Sequence, residues 1–235
     1  MNIKKILTKV NYRKGSNKKN KYIAIHYVGA TGGAEDNGKY FQNEYRGASA
    51  HYFVGHKGEI IQSVLDTDIA WHCGSNNGYK HPYCRNENSI GIEMCCRRLS
   101  NGTWYFEEET VKATIELTKM LMKQYNIPVE NVIRHYEVTG KVCPEPYVRD
   151  AQAWNTFKAS LTDTATPTPT TPAASGYLVR ITANTLNVRK GAGTGYKINT
   201  TVKKGEVYTI VQEFNGWGKL KSGAGWIKLS YTEKV

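Results

Sequence analysis

Tyr22-Ile23-Ala24-Ile25-His26-Tyr27-Val28-Gly29 is the stretch on which the fold turns. Its apolar residues run without alternation, as in a strand covered on both faces, and the closing glycine lets the chain open into a loop. A strand buried on both faces belongs to a layered α/β sheet. Outward from it, Ser49 to Val54 and Ile60 to Val64 flank Gly55-His56-Lys57-Gly58-Glu59 and predict a hairpin. Ser89 to Met94 and Val132-Ile133-Arg134 predict two further short strands. Glu107 to Tyr125 predicts a helix with acids in its first turn and Ala113, Leu117, Met120 and Leu121 on one face, stopped by Asn126 and Pro128. Asp150 to Leu161 predicts a closing helix with Trp154, Phe157 and Leu161 on a stripe. The sum is an α/β domain around a mixed β-sheet flanked by helices.

The texture changes at Thr162 to Gly176, where Thr-Pro-Thr-Pro-Thr-Thr-Pro offers no apolar face and predicts an extended spacer. Beyond it, short β-branched runs are punctuated by glycine: Leu178 to Ala183, Leu186 to Arg189, Thr200 to Val202, Glu206 to Glu213, Trp217 to Lys221 and Gly225 to Leu229. That spacing predicts a small all-β barrel. The expected division is residues 1–161, a linker over 162–176, and residues 177–235.

Composition narrows the function. With 40% hydrophobic, 11% aromatic and 22% charged residues the chain is far from disordered, and no apolar run approaches a membrane span, so an integral membrane protein is not expected. The start, Met1 to Leu7, returns to Lys9, Arg13, Lys14, Lys18, Lys19 and Lys21 with no apolar core of useful length, which predicts no signal peptide. Five cysteines (Cys73, Cys84, Cys95, Cys96, Cys143) are too sparse and too odd for a disulfide scaffold, so at least one is expected free. The formal charge is +12. Residues 1–161 carry 22 Lys and Arg against 16 Asp and Glu, and residues 177–235 carry 10 against 3, so the charge is concentrated at the two ends of the chain. Without a recognition helix or a base-stacking motif, that points to an anionic surface other than nucleic acid.

The chemistry is sought among His and Cys. His26 ends the buried strand, and His135 and Cys143 bracket an expected loop that follows another strand. Two imidazoles and a thiolate suit zinc, and three protein ligands leave a fourth position open, as a catalytic site requires. Alone, a strand-end His is more often a hydrogen-bonded structural residue, and a Cys eight residues after a His matches no finger spacing.

Five blocks together carry more weight: Ile23 to Tyr27, Ser49-Ala50-His51-Tyr52-Phe53-Val54, Ala70-Trp71-His72, Asn88 to Glu93, and His135 to Pro144. They resemble, in order, the zinc-dependent N-acetylmuramoyl-L-alanine amidase family, the type 2 amidases. The resemblance implies the type 2 amidase fold, Zn2+ held by His26, His135 and Cys143, Glu93 as general base, and Lys141 stabilising the transition state. It also implies zinc-activated water attacking the amide between N-acetylmuramic acid and L-alanine of peptidoglycan. Trp71 and His72 fall in a block resembling the family's substrate cleft, with His72 reading equally as a satisfied structural residue, and His51, near which some branches carry Tyr, is expected to contact substrate at the reacting centre or to pack. Cys73 stands where relatives carry a small apolar residue and, with Cys84, Cys95 and Cys96, reads as a packing thiol.

Residues 177–235 resemble the bacterial SH3-like domains through Leu186-Asn187-Val188-Arg189, Lys203-Lys204-Gly205 and Gly225-Trp226-Ile227. This implies a module binding the cell wall and its anionic polymers. A chain made in the bacterial cytoplasm and acting on a Gram-positive wall after release, as phage or prophage endolysins do, is the expectation. The rivals are a non-catalytic muropeptide binder and a cysteine peptidase, but Cys143 has no His after it and nothing around Cys73 resembles a nucleophile block.

Overall fold

The computed structural model describes residues 1–16, 18–74, 78–162, 176–194, 196–214 and 216–235. The expected spacer therefore falls almost wholly outside the described residues. In chain order the first part runs β1 (Ile3–Lys5), β2 (Tyr12–Arg13), β3 (Tyr22–Tyr27), α1 (Ala34–Tyr40), β4 (Tyr52–Val54), β5 (Ile60–Gln62), β6 (Ile69–Ala70), β7 (Ser89–Met94), β8 (Arg97–Arg98), β9 (Trp104–Tyr105), α2 (Glu108–Tyr125), β10 (Val132–Arg134), α3 (His135–Thr139), α4 (Glu145–Arg149) and α5 (Ala151–Thr162).

Six strands form one mixed sheet in the order β1-β5-β4-β7-β3-β10. β3 lies between β7 and β10, parallel to both, and only the β4–β5 hairpin is antiparallel. That position explains the unalternating sequence: Ile23, Ala24 and Ile25 are wholly buried because both faces of β3 are covered. Ile23 and Ile25 face the core built with Ile115, Leu117 and Leu121 of α2 and Trp154, Phe157 and Leu161 of α5. Ala24 packs on the other side with Cys73, Cys84, Ile133 and Val138, and alternation sends His26 to that same side. α2 ends where Asn126 adopts the left-handed conformation (φ 52°), with Pro128 following.

Several elements differ from expectation. Ile3–Lys5, in the basic start of the chain, is an edge strand parallel to β5, and Ile6 is buried beside it. The segment after β10 begins with a helical turn, α3, where the sequence suggested only a loop. The β2–β6 and β8–β9 ladders were not anticipated.

The second part comprises β11 (Tyr177–Ile181), β12 (Thr185–Arg189), β13 (Ile198–Lys203), β14 (Val207–Phe214), β15 (Trp217–Leu220), β16 (Trp226–Lys228) and β17 (Thr232–Lys234). All its pairings are antiparallel, in the order β13-β12-β16-β15-β14-β11-β17, around Val179, Ile181, Val188, Ile210, Leu220 and Ile227. Gly225 is required there: its φ is +135°, and a Cβ would stand 2.2 Å from the Arg189 carbonyl oxygen. Among the described residues no helix is long and apolar enough to cross a membrane.

Phe157 is 1% exposed, its ring stacked on Trp154 at 5.4 Å, so its loss leaves a cavity between α5 and the sheet. Phe157→Ala is expected to cost about 3–5 kcal/mol in equilibrium urea unfolding, whereas a cost under about 1 kcal/mol would contradict this packing.

Candidate metal centre

The parallel register creates the centre. His26 pairs with Glu93 across β3 and β7, and Arg134, the last residue of β10, pairs with Ile25. His135 therefore enters beside His26, with ring centroids 4.7 Å apart. Glu137 holds the entry to α3, accepting the Arg134 backbone N–H at 2.7 Å and pairing with the Arg134 guanidinium. The chain then folds back, and the Tyr136 N–H donates to the Cys143 carbonyl at 2.9 Å. Cys143 Sγ is thereby set 3.7 Å from His26 Nδ1.

His26, His135 and Cys143 are all buried, and their ligand atoms lie within 4.8 Å of one another. The fit to a tetrahedral cation is good. With Zn–N near 2.05 Å and Zn–S near 2.3 Å, a nitrogen and a sulfur on one zinc stand about 3.6 Å apart. His135 Nε2 is buried with no hydrogen-bond partner among the described residues, a costly arrangement unless something electrophilic faces it. Burial, then the charges of His135, His72 and Lys141, holds His26 well below the usual imidazole range; burial and Lys141 lower His135 to about 4. Both are neutral near pH 7, with lone pairs free to ligate. Burial and the Glu93 carboxylate push the Cys143 thiol up, so a thiolate there needs a cation beside it.

Glu93 is partly buried, and its Oε2, out of contact with solvent, has no partner among the described residues. Burial raises its carboxyl to about 7 against the opposing pull of Lys141. Lys141 is exposed, and its charge acts on His26, His135, Glu93 and Cys143 alike. A poised carboxylate and an ammonium thus border the three ligands.

The residues expected in a substrate cleft are placed differently. His51 has no exposed surface; its Nδ1 accepts the Gly91 N–H at 3.0 Å, and Lys18 Nζ and the Asp68 carbonyl lie 2.9 and 3.3 Å from its Nε2. It is packed on all sides, the second of the two places expected for it. His72 is buried as well, behind His26, with Nδ1 3.0 Å from His26 Nε2. Trp71 alone of the three is half-exposed, edge-on to Tyr45. Cys73, read as a packing thiol, has its sulfur 3.1 Å from His72 Nδ1 and forms a second potential ligand group with His26 and His72. All five cysteines are free. Gly91 was overlooked, although a glycine inside a strand signals close approach of another group.

A mixed sheet whose parallel strands bring two imidazoles together at their ends, with a thiol folded back beside them after α3, defines a candidate metal-binding α/β domain. The family model for N-acetylmuramoyl-L-alanine amidase matches residues 16–146, and that for the bacterial SH3 domain matches residues 184–233. A probable N-acetylmuramoyl-L-alanine amidase of Bacillus licheniformis is 30% identical over 187 residues, covering 72% of this chain and 51% of its own. The amidase BlyA of Bacillus subtilis (strain 168) is 32% identical over 151 residues, 59% of this chain and 40% of its own. The chain spans about half or less of the length of these curated relatives. The solved structure of PlyL superposes with a TM-score of 0.59 at 28% identity, covering 70% of this chain and 99% of that one. A mutant endolysin from Bacillus subtilis gives 0.56 at 30% identity, covering 68% and 99%. The chain belongs to the N-acetylmuramoyl-L-alanine amidase family and carries a bacterial SH3 domain after the amidase-type sheet.

The Glu93 shift makes a stability prediction. A carboxyl at about 7 when folded and 4.5 when unfolded holds its proton in the native state between those values. Its contribution is complete below pH 4.5 and lost as pH rises through 7. In chelator-treated protein, Glu93→Gln should therefore gain stability over wild type between pH 4.5 and 8, on the order of 3 kcal/mol. An unchanged difference across that range in urea unfolding would contradict the buried placement.

Proposed function

We propose that this chain is a zinc-dependent hydrolase of peptidoglycan, cleaving the amide between the lactyl group of N-acetylmuramic acid and L-alanine, with His26, His135 and Cys143 holding the metal. The observation that carries the reading is the pair of partnerless buried atoms, His135 Nε2 and Glu93 Oε2, at the rim where Cys143 stands at ligand spacing from His26. Zinc supplies Lewis acidity, polarising the amide carbonyl and making water nucleophilic near neutral pH. Glu93 takes a proton from the attacking water and delivers it to the departing nitrogen, so the C–N bond breaks and, with the second water proton also ending on nitrogen, the products are a lactyl carboxylate and the ammonium of L-alanine. The Lys141 ammonium faces the negative charge that grows on the carbonyl oxygen.

The basic barrel, with 10 Lys and Arg against 3 acids over residues 177–235, serves in this reading as a tether to the wall and its anionic polymers. The proposed setting is a Gram-positive wall attacked after the protein is released from the cell that makes it, as by a phage or prophage endolysin.

Digestion of purified peptidoglycan should expose new L-alanine amino termini. Glu93→Gln should keep its zinc and lose about 10²-fold or more in rate, and Lys141→Ala should lower kcat more than it changes KM. Hydrolysis at wild-type rate by Glu93→Gln would show that the base lies elsewhere.

For the tether, protein lacking residues 177–235 should match the full chain on small soluble muropeptides and fall behind on intact walls. That deficit should shrink as salt screens the full chain's attraction. Equal rates on walls at low salt would remove the barrel from the account.

A further inference from the structure

Behind His26 runs a chain of buried polar groups. Its Nε2 lies 3.0 Å from His72 Nδ1, closer than the roughly 3.3 Å between two nitrogens on one tetrahedral zinc. The contact is therefore a hydrogen bond. His72 Nε2 in turn lies 3.2 Å from Ser89 Oγ, and the Ser89 hydroxyl donates to the Arg85 carbonyl at 2.6 Å.

The last acceptor fixes every proton before it. A carbonyl only accepts, so the Ser89 hydroxyl proton is committed to Arg85 and its oxygen is left to accept from His72 Nε2–H. A neutral imidazole has one N–H, so His72 Nδ1 bears the lone pair and accepts from His26 Nε2–H. That leaves His26 Nδ1 unprotonated, and this is the nitrogen 3.7 Å from Cys143 Sγ. Cys73 Sγ stands 3.1 Å from the same His72 nitrogen, but its thiol also has Cys84 as a partner, whereas among the described residues His26 Nε2 has no other acceptor.

We infer that His72 and Ser89 are positioning residues, which fix the His26 tautomer so that Nδ1 is the atom offered to the metal; this rests on the metal reading above. The strand is shaped for it. A Cβ on Gly91 would stand 2.5 Å from His72 Cγ and 2.7 Å from its Nδ1, so the ring occupies space that only glycine leaves. Ser89, Gly91 and Glu93 alternate along β7 and share one face, so a single strand face carries the end of the relay, the room for its ring and the proposed base. Partners behind a ligating imidazole set its tautomer and basicity.

The test is zinc affinity by chelator competition, with the His26 tautomer read by long-range 15N–1H correlation in zinc-free protein and folding followed by circular dichroism. Wild type should show the Nε2–H tautomer at His26. His72→Ala should bind zinc about 10–100-fold more weakly and lose that tautomer preference. His72→Gln, whose amide oxygen accepts the same N–H, should recover most of the affinity. Ser89→Ala should weaken binding less than His72→Ala, and Gly91→Ala, which displaces the ring without touching a ligand, should weaken it too. If His72→Ala does not fold, Ser89→Ala and the wild-type tautomer decide. Wild-type zinc affinity in folded His72→Ala and Ser89→Ala, or an Nδ1–H tautomer at His26 in wild type, overturns the inference while the metal reading stands. A wild-type protein that binds no zinc overturns both.

Discussion

The parallel pairing of β3 with β7 on one side and β10 on the other is the constraint on which the rest of the centre depends. Parallel strands end together, so the side chains at their carboxy-terminal ends converge without any long loop having to find its place. His26 and Glu93 are neighbours because residues 22–27 and 89–94 pair in register, and His135 joins them because β10 ends one residue earlier against Ile25. A shift of one residue in either ladder would send His26 or Glu93 into the apolar face occupied by Ile25 and Ile92. The packing that fixes the register, β-branched side chains against α2 and α5, therefore also fixes the distances of the centre.

Burial then sets the chemistry. Removing four imidazoles, a thiol and a carboxyl from water favours their neutral forms. For the imidazoles this leaves lone pairs available; for Glu93 it places the carboxyl near neutrality; for Cys143 it makes the thiolate dependent on a nearby positive charge. The exposed Lys141 is a fixed cation whose charge acts on that group. Neutral imidazole lone pairs beside a thiol and an unpartnered carboxylate oxygen are a donor set that a cation would complete.

Much of this was legible in the sequence because the decisive strands are continuous apolar runs and the two long helices have apolar stripes. The His26, His135 and Cys143 trio was legible through its blocks, each at the end of a strand or just after one. α1 was not, because Ala-Glu-Asp-Asn-Gly-Lys-Tyr has no stripe and is held only by Ala34 and Gly38 against the sheet. β1 was hidden by its lysines: on an edge strand Lys4 and Lys5 stay in water while Ile6 enters the core. For His51, alternation shows which face a residue takes but not that Lys18 and Asp68 lie against its ring. The partnership of His72 with Ser89 joins a loop residue after β6 to one on β7, 17 residues on, a contact no local pattern encodes.

The central claim is that two imidazoles and one thiolate, and no other protein sulfur, hold a single zinc ion. X-ray absorption at the zinc edge on the full chain measures that directly. One sulfur near 2.3 Å is expected, with the remaining ligands nitrogen or oxygen near 2.0–2.1 Å. A shell with no sulfur, or with two or more, would contradict it, the latter by drawing Cys73 or Cys84 into the coordination sphere.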